Sequence, residues 1–304
     1  MVCKPIDMHL SPRHQIDWER LDVEELVAIQ RKARATIEAK RKLGGRQRQV
    51  GSGARVLPEP LYPGKAGYRT LVNQVAPEHQ RDAVDRLDRC ILGVSMAGSN
   101  AANFQGAKLE AVVRWIAARA NHCCVLVGDS LGRISVQVRH GIAPEQAARE
   151  ARALGERYIA ETEAIFRHYT SDEVSFEFRR GTEYDDHPGF LPYLDAVRAH
   201  YDKDASFRRL VHAFSDDYLA RTARSLGHGE ASLSEEWQRL GRAYLIEEVV
   251  LLSCLADDGW PVLVYPGSID SIVEIAEGRH PELPVPLHGL RFISLRLDAK
   301  SGAR

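Results

Sequence analysis

The sequence predicts an α/β protein built on a parallel sheet with helices on both faces. Three observations predict it. Short continuous apolar runs, among them CILGV from residue 90 and CCVLV from residue 123, lack the polar alternation of a sheet with one wet face. Segments with helical spacing stand between those runs, as in βαβ units. A chain of 304 residues with 44% hydrophobic content can bury one large core without demanding two independent domains.

Taken in order, residues 21–43 place Leu21, Leu26, Ile29, Ala33 and Ile37 at helical spacing and stop at Gly44-Gly45, where glycine readily turns left-handed. The following GGRQRQVGSGARVLPEPLYPGKAG is too rich in Gly, Pro and Arg to bury much apolar area. Residues 1–60 are therefore expected to form a helical, basic appendage with its linker, and residues 61–304 the main domain. From residue 90 the order is strand CILGV, loop SMAGSNAANFQG, helix AKLEAVVRWIAARA and strand CCVLV. A long amphipathic helix is expected at about 144–168, a strand at 174–178 and helices through much of 190–256. VLVYP reads as a strand, SIVEIAEG as a short helix and LRFISLRL as a final strand. No internal repeat is visible.

The bulk properties narrow the class. A net charge of −1 means that any nucleic-acid partner must meet a local basic patch. Five cysteines are an odd number without zinc-site pairs or disulfide-scaffold density, which favours a reducing cytoplasm. The start MVCKPIDMHLSPRH lacks the apolar region of a secretory signal. The most apolar run, 243–256, is interrupted by Glu247 and Glu248, so no membrane span is expected. Twelve histidines are scattered without an evident metal-ligand spacing beside a carboxylate, so no metal is expected.

Three segments offer chemistry. Ser95 follows the first strand within Gly93-Val94-Ser95-Met96-Ala97-Gly98-Ser99-Asn100, at the carboxyl edge where parallel sheets bind ligands. The same serine could merely cap the next helix or make a turn. Tyr244 and Glu248 lie one turn apart on a helix apolar on nearly all sides. A buried carboxylate there is either paired, for instance with Arg242, or has a raised pKa suited to proton transfer. Glu247 points about 100° away and is the better structural partner. Tyr265 ends VLVYP at the same sheet edge, where a tyrosine more often packs than does chemistry.

A serine after strand-Gly-Val, a Tyr-x-x-x-Glu on an apolar helix and a strand tyrosine about twenty residues on resemble, in that order, the tRNA-dependent cyclodipeptide synthases. The resemblance covers roughly 85–280, including the helices AKLEAVVRWIAARA and AAREARALGERY. It implies a Rossmann-like domain similar to the catalytic domains of class I tyrosyl- and tryptophanyl-tRNA synthetases, without their ATP-binding signatures. It also implies that Ser95 takes the aminoacyl group, that Tyr244 and Glu248 hold and deprotonate the substrate amine, and that Tyr265 positions the acyl-enzyme. Gly93, Gly98, Ser99 and Asn100 would line the substrate site. An aminoacyl ester is already activated, so aminoacyl-tRNA is the partner and no ATP, metal or redox cofactor is implied. Two successive aminoacyl-tRNAs would give a dipeptidyl-serine that closes a diketopiperazine, a ring closure favoured by high effective molarity.

Two departures stand out. Many members have Asn three residues after the nucleophile and His directly after the strand tyrosine; here these are Gly98 and Pro266, with Asn100 the next amide along. Relatives often carry a strongly basic helix, whereas here Arg149, Arg152, Arg157 and Arg167 face Glu145, Glu150, Glu156, Glu161 and Glu163. The appendage has Arg31, Lys32, Arg34, Lys40, Arg41, Lys42, Arg46 and Arg48 against Glu38, the concentrated charge that phosphate contacts need. Arg31, Lys32, Lys40, Arg41 and Lys42, with Arg149 and Arg152, are the candidate tRNA-docking residues.

Three other functions remain open at this level. An α/β-type serine hydrolase could complete a triad with Asp270 and His280 or His288, although its elbow needs G-x-S-x-G and the second glycine here, Gly98, comes one residue late. A non-catalytic RNA- or nucleotide-binding protein is another, weakened by the absence of G-x-G-x-x-G. A third is aminoacyl transfer to an amine other than aminoacyl-tRNA. The amino acids used and the oligomeric state are not legible.

Overall fold

The computed structural model describes residues 55–63, 67–96, 101–227 and 234–300. The chain divides between Ala54 and Arg55, and every described residue belongs to the second unit. This unit is a six-stranded sheet with strand order β1-β6-β5-β2-β3-β4. Its strands are β1 (Tyr68–Ala76), β2 (Leu87–Val94), β3 (Ala120–Val127), β4 (Ser175–Arg180), β5 (Val262–Pro266) and β6 (Arg291–Ala299). The helices are α1 (Gly106–Ala117), α2 (Asp129–His140), α3 (Pro144–Tyr169), α4 (Phe190–Lys203), α5 (Ala205–Ser225), α6 (Glu235–Asp257) and α7 (Asp270–Ala276).

All neighbours pair in parallel except β1, which runs antiparallel to β6 along one edge. The parallel core follows from the expected apolar runs: Cys90, Ile91, Leu92, Cys123, Cys124 and Val125 are all buried, because helices cover both faces. From β2 the chain steps outward through α1 to β3 and on to β4. It then returns through α4–α6 to lay β5 on the other flank of β2, with Ile91 opposite Leu263 and Leu92 opposite Val264. The strand order therefore reverses between β2 and β5. In open α/β sheets this reversal leaves a crevice beyond the carboxyl ends of the two strands.

Two elements depart from the sequence expectation. The helix read as AKLEAVVRWIAARA ends at Ala117, because Ala120 is already paired with Leu87 in the sheet. Ladder pairing overrides the high helix propensity of Ala and Arg there. The stretch from Asp129 to His140, to which the sequence assigns no element, is α2; it ends at Gly141, whose φ of 61° makes the left-handed turn.

Residues 55–62 are tied to the sheet unit. Arg55 donates to the carbonyls of Ala117 and Ala120 and pairs with Glu173 at 3.3 Å. Buried Glu110 on α1 accepts from the backbone N–H groups of Leu61 and Tyr62 and from the Tyr169 hydroxyl. Three donors on one carboxylate offset the cost of burying its charge. Cys90, Cys123, Cys124 and Cys254 are buried free thiols. No described helix is long and apolar enough to cross a membrane.

Candidate active site

The crevice at the strand reversal opens into a cavity of about 470 Å³. That size suits a small-molecule site. Ser95, one residue past the end of β2, lines it together with Tyr244 and Glu248 from α6 and Tyr265 from β5. Three segments separated by up to about 170 residues of chain thus meet because β2 and β5 are sheet neighbours and α6 packs beside them. Gly93 lines the same wall; a Cβ there would stand 3.3 Å from Leu263 Cδ1 and 3.8 Å from Tyr265 Cδ2. The glycine leaves room for Leu263, and the tyrosine ring lies beside it at ordinary contact distance. Gly98, Ser99 and Asn100 lie outside the described residues.

Glu248 faces the cavity, yet its Oε2 atom is sealed from solvent and has no hydrogen-bond partner. Burial alone raises its pKa to about 7. Adjacent Glu247 behaves differently. It faces α2, where both its carboxylate oxygens accept from Nη2 of Arg133, at 2.7 and 2.9 Å. The two glutamates thus face different surroundings, one paired and one sealed, because about 100° separates them on the helix. The Tyr244 hydroxyl is held protonated, first by burial and then by the nearby Glu248 charge.

Tyr244 belongs to an aromatic wall that the sequence does not single out. Its ring centroid lies 5.1 Å from Tyr218 and 5.7 Å from Phe214, both on α5. Each such contact adds about 0.5–1.5 kcal/mol beyond area burial. The Tyr218 hydroxyl exchanges a 2.9 Å hydrogen bond with Ser135 on α2, which fixes the far side of the wall. Phe214, Asp217, Tyr218 and Arg221 all line the cavity at spacings of three and four, so the face of α5 is the signal that would have found them. Asn103 donates to the Pro266 carbonyl at 3.2 Å and ties the connection after β2 to the end of β5.

Other sequence candidates fall elsewhere. His280 and His288 are not among the cavity residues; His288 Nε2 lies against the carbonyls of Pro281 and Leu283. A serine hydrolase triad is therefore not assembled around Ser95. Arg149 and Arg152 are exposed on α3. Arg31, Lys32, Lys40, Arg41 and Lys42 lie outside the described residues.

Comparison with known proteins decides the family. The cyclodipeptide synthase family model matches residues 71–253. The chain belongs to the cyclodipeptide synthase family. A search of curated proteins gave no match. Among solved structures, a cyclodipeptide synthase from Fluoribacter dumoffii is 23% identical, covers 76% of this chain and 98% of its own, and superposes with a TM-score of 0.65. The synthase from Candidatus Glomeribacter gigasporarum, solved bound to Phe-tRNAPhe, is 16% identical over 74% of this chain and 94% of its own, with a TM-score of 0.57. A Mycobacterium tuberculosis protein described as showing that cyclodipeptide synthetases are related to type I tRNA synthetases covers 81% of this chain and all of its own, at 13% identity and a TM-score of 0.56. The cyclodipeptide synthase fold expected from the ordered serine, Tyr-x-x-x-Glu and strand tyrosine is thus the fold observed.

Proposed function

We propose that this synthase joins two aminoacyl groups drawn from charged tRNA into a cyclodipeptide, with Ser95 as the covalent relay. The observation that carries the reading is the convergence of Ser95, Tyr244, Glu248 and Tyr265 on one cavity at the strand reversal. The Glomeribacter relative bound to Phe-tRNAPhe supports charged tRNA as the donor.

In the first step the Ser95 hydroxyl attacks the ester carbonyl of an aminoacyl-tRNA; the ribose oxygen leaves with the proton, and a seryl ester replaces the tRNA ester. One ester is exchanged for another, so no external energy source is required. The α-amine of the bound aminoacyl group then attacks the ester of a second aminoacyl-tRNA. An amide forms, the second tRNA leaves, and Glu248 takes the amine proton while Tyr244 holds the amine in place. Free α-amines titrate near 7.7–8.0, close enough to a carboxyl at about 7 for the proton to pass in either direction. Finally the terminal amine of the dipeptidyl-serine attacks the seryl ester, closing the ring and restoring the Ser95 hydroxyl. Tyr265, packed against Gly93, keeps the acyl chain against the end of β2.

Incubation with a mixture of charged tRNAs, followed by mass spectrometry for diketopiperazines, tests the reading. Native protein should release at least one; Ser95→Ala, with native circular dichroism, should release none. A linear aminoacyl amide in place of the ring would instead identify a different amine acceptor.

A further inference from the structure

Away from the cavity, the corner between α4 and α5 brings together three side chains that the chemistry above does not use. His200 lies in the last turn of α4, and Asp204, four residues on, caps the start of α5. His280 arrives from the connection between α7 and β6, just after Gly278 turns the chain with a φ of 73°. One donor atom from each lies within 4.8 Å of the others.

The two histidines are more than nine-tenths buried, with 8% and 5% of their surface exposed. His200 Nε2 and both ring nitrogens of His280 have no hydrogen-bond partner. Leaving such groups unsatisfied costs about 1–3 kcal/mol each, a penalty that native proteins rarely leave uncompensated. No lone surface carboxylate is involved here. The arrangement is two buried imidazoles beside one carboxylate, and Asp204 takes both its hydrogen bonds, from Ser206 and from the Phe207 N–H, on Oδ1. Its Oδ2 is the oxygen for a further ligand.

We propose that His200, Asp204 and His280 form a structural site for a divalent transition metal ion of the zinc class. Two imidazole nitrogens and a carboxylate oxygen are the donor set such ions prefer. Metal–nitrogen distances of about 2.0–2.1 Å draw donors to roughly 3.3–3.5 Å of one another, a closure of up to about 1.5 Å from the 4.8 Å limit seen here. Glu274 Oε2 lies 3.8 Å from His280 Nε2 and Glu274 also lines the catalytic cavity. This carboxylate, or a water, completes the shell. The ion would clamp the α4–α5 corner to the segment after α7 and so brace one wall of the cavity. The site is independent of the acyl-transfer chemistry, and its test does not use that activity.

The test uses the full-length chain without an affinity tag, stripped with a chelator and titrated with Zn²⁺ against a chromogenic competitor. Native protein should bind one Zn²⁺ per chain and, at about a hundredfold excess over Kd, gain roughly 5–10 °C in Tm. With Co²⁺ it should develop visible d–d absorption. Asp204→Asn keeps a good helix cap and should lose at least about tenfold in affinity, while His280→Ala should lose the Co²⁺ spectrum. If His280→Ala does not fold, Asp204→Asn decides alone. Failure of the stripped native chain to take up Zn²⁺, or native affinity in the folded variants, would overturn the site.

Discussion

Glu248 is the residue at which burial and chemistry meet most directly. Its carboxyl titrates at about 7 rather than 4.5 because Oε2 is sealed without a partner. The unfolded chain loses this proton near 4.5 and the folded chain only near 7. Stability linked to Glu248 is therefore fully present below about 4.5, declines as pH rises through this window, and levels off above about 7. Glu248→Gln should remove that decline and stabilise the protein above pH 7 by roughly 1–3 kcal/mol, measured by urea unfolding at several pH values. The same variant should still load Ser95 but slow amide formation by about 10²–10⁴-fold, in single-turnover assays that separate loading from product release. In native protein the amide step should rise with pH through about 7. A variant that fails to load at all would refute this division of labour. Of the site, the positions of Ser95, Tyr244, Glu248 and Tyr265 were legible as strand ends and one helical face, whereas the roles proposed for them came from the family resemblance. Tyr218, Phe214 and Asn103 were not, since their roles depend on which helix face and which loop meet across the crevice.

At the scale of elements, α6 carries adjacent glutamates in different surroundings, and Arg133 on α2 pairs with Glu247. Arg133→Met should leave Glu247 as an unpartnered, partly buried charge and destabilise the chain by about 1–3 kcal/mol. Arg133→Met combined with Glu247→Gln should recover part of that loss; full additivity in a double-mutant cycle would show the pair to be uncoupled. The element α2 also shows where sequence reading fails. Ile134, Val136 and Val138 alternate with Ser135 and Gln137, the period of a half-buried strand. All five are buried in a helix, because α3 and α6 pack around α2 and leave no wet face to impose a helical period. Within the helix, Gly132 permits the close approach of Met96, whose Cε would stand 3.1 Å from an added Cβ. By contrast β2, β3 and β5 announce themselves as short apolar runs, since parallel strands covered on both faces need no alternation. The antiparallel edge strand β1 is less visible: much of YRTLVNQVA is polar or half-exposed, and its pairing with β6 shifts register between Val72 and Gln74.

For the whole molecule, a net charge of −1 requires tRNA to be met locally. We propose that the basic segment containing Arg31, Lys32, Lys40, Arg41 and Lys42 supplies that patch, with Arg149 and Arg152 on the exposed face of α3 as a second contact. Replacing Lys40, Arg41 and Lys42 together by alanine should raise KM for charged tRNA, leave kcat near native, and flatten the salt slope of log Kd by about 2–3 units, read by filter binding across ionic strengths. An unchanged slope would place the docking surface elsewhere. The fold class, a largely parallel sheet flanked by helices, was legible; the cluster of His200, Asp204 and His280 was not, because its two histidines are far apart in sequence and meet only through the fold. The most direct measurement of the central claim is peptide mapping of the acyl-enzyme trapped in acid after brief exposure to charged tRNA. An aminoacyl mass on the peptide carrying Ser95, absent in Ser95→Ala, is the predicted result. An adduct on any other residue, or cyclodipeptide release from folded Ser95→Ala, would contradict it.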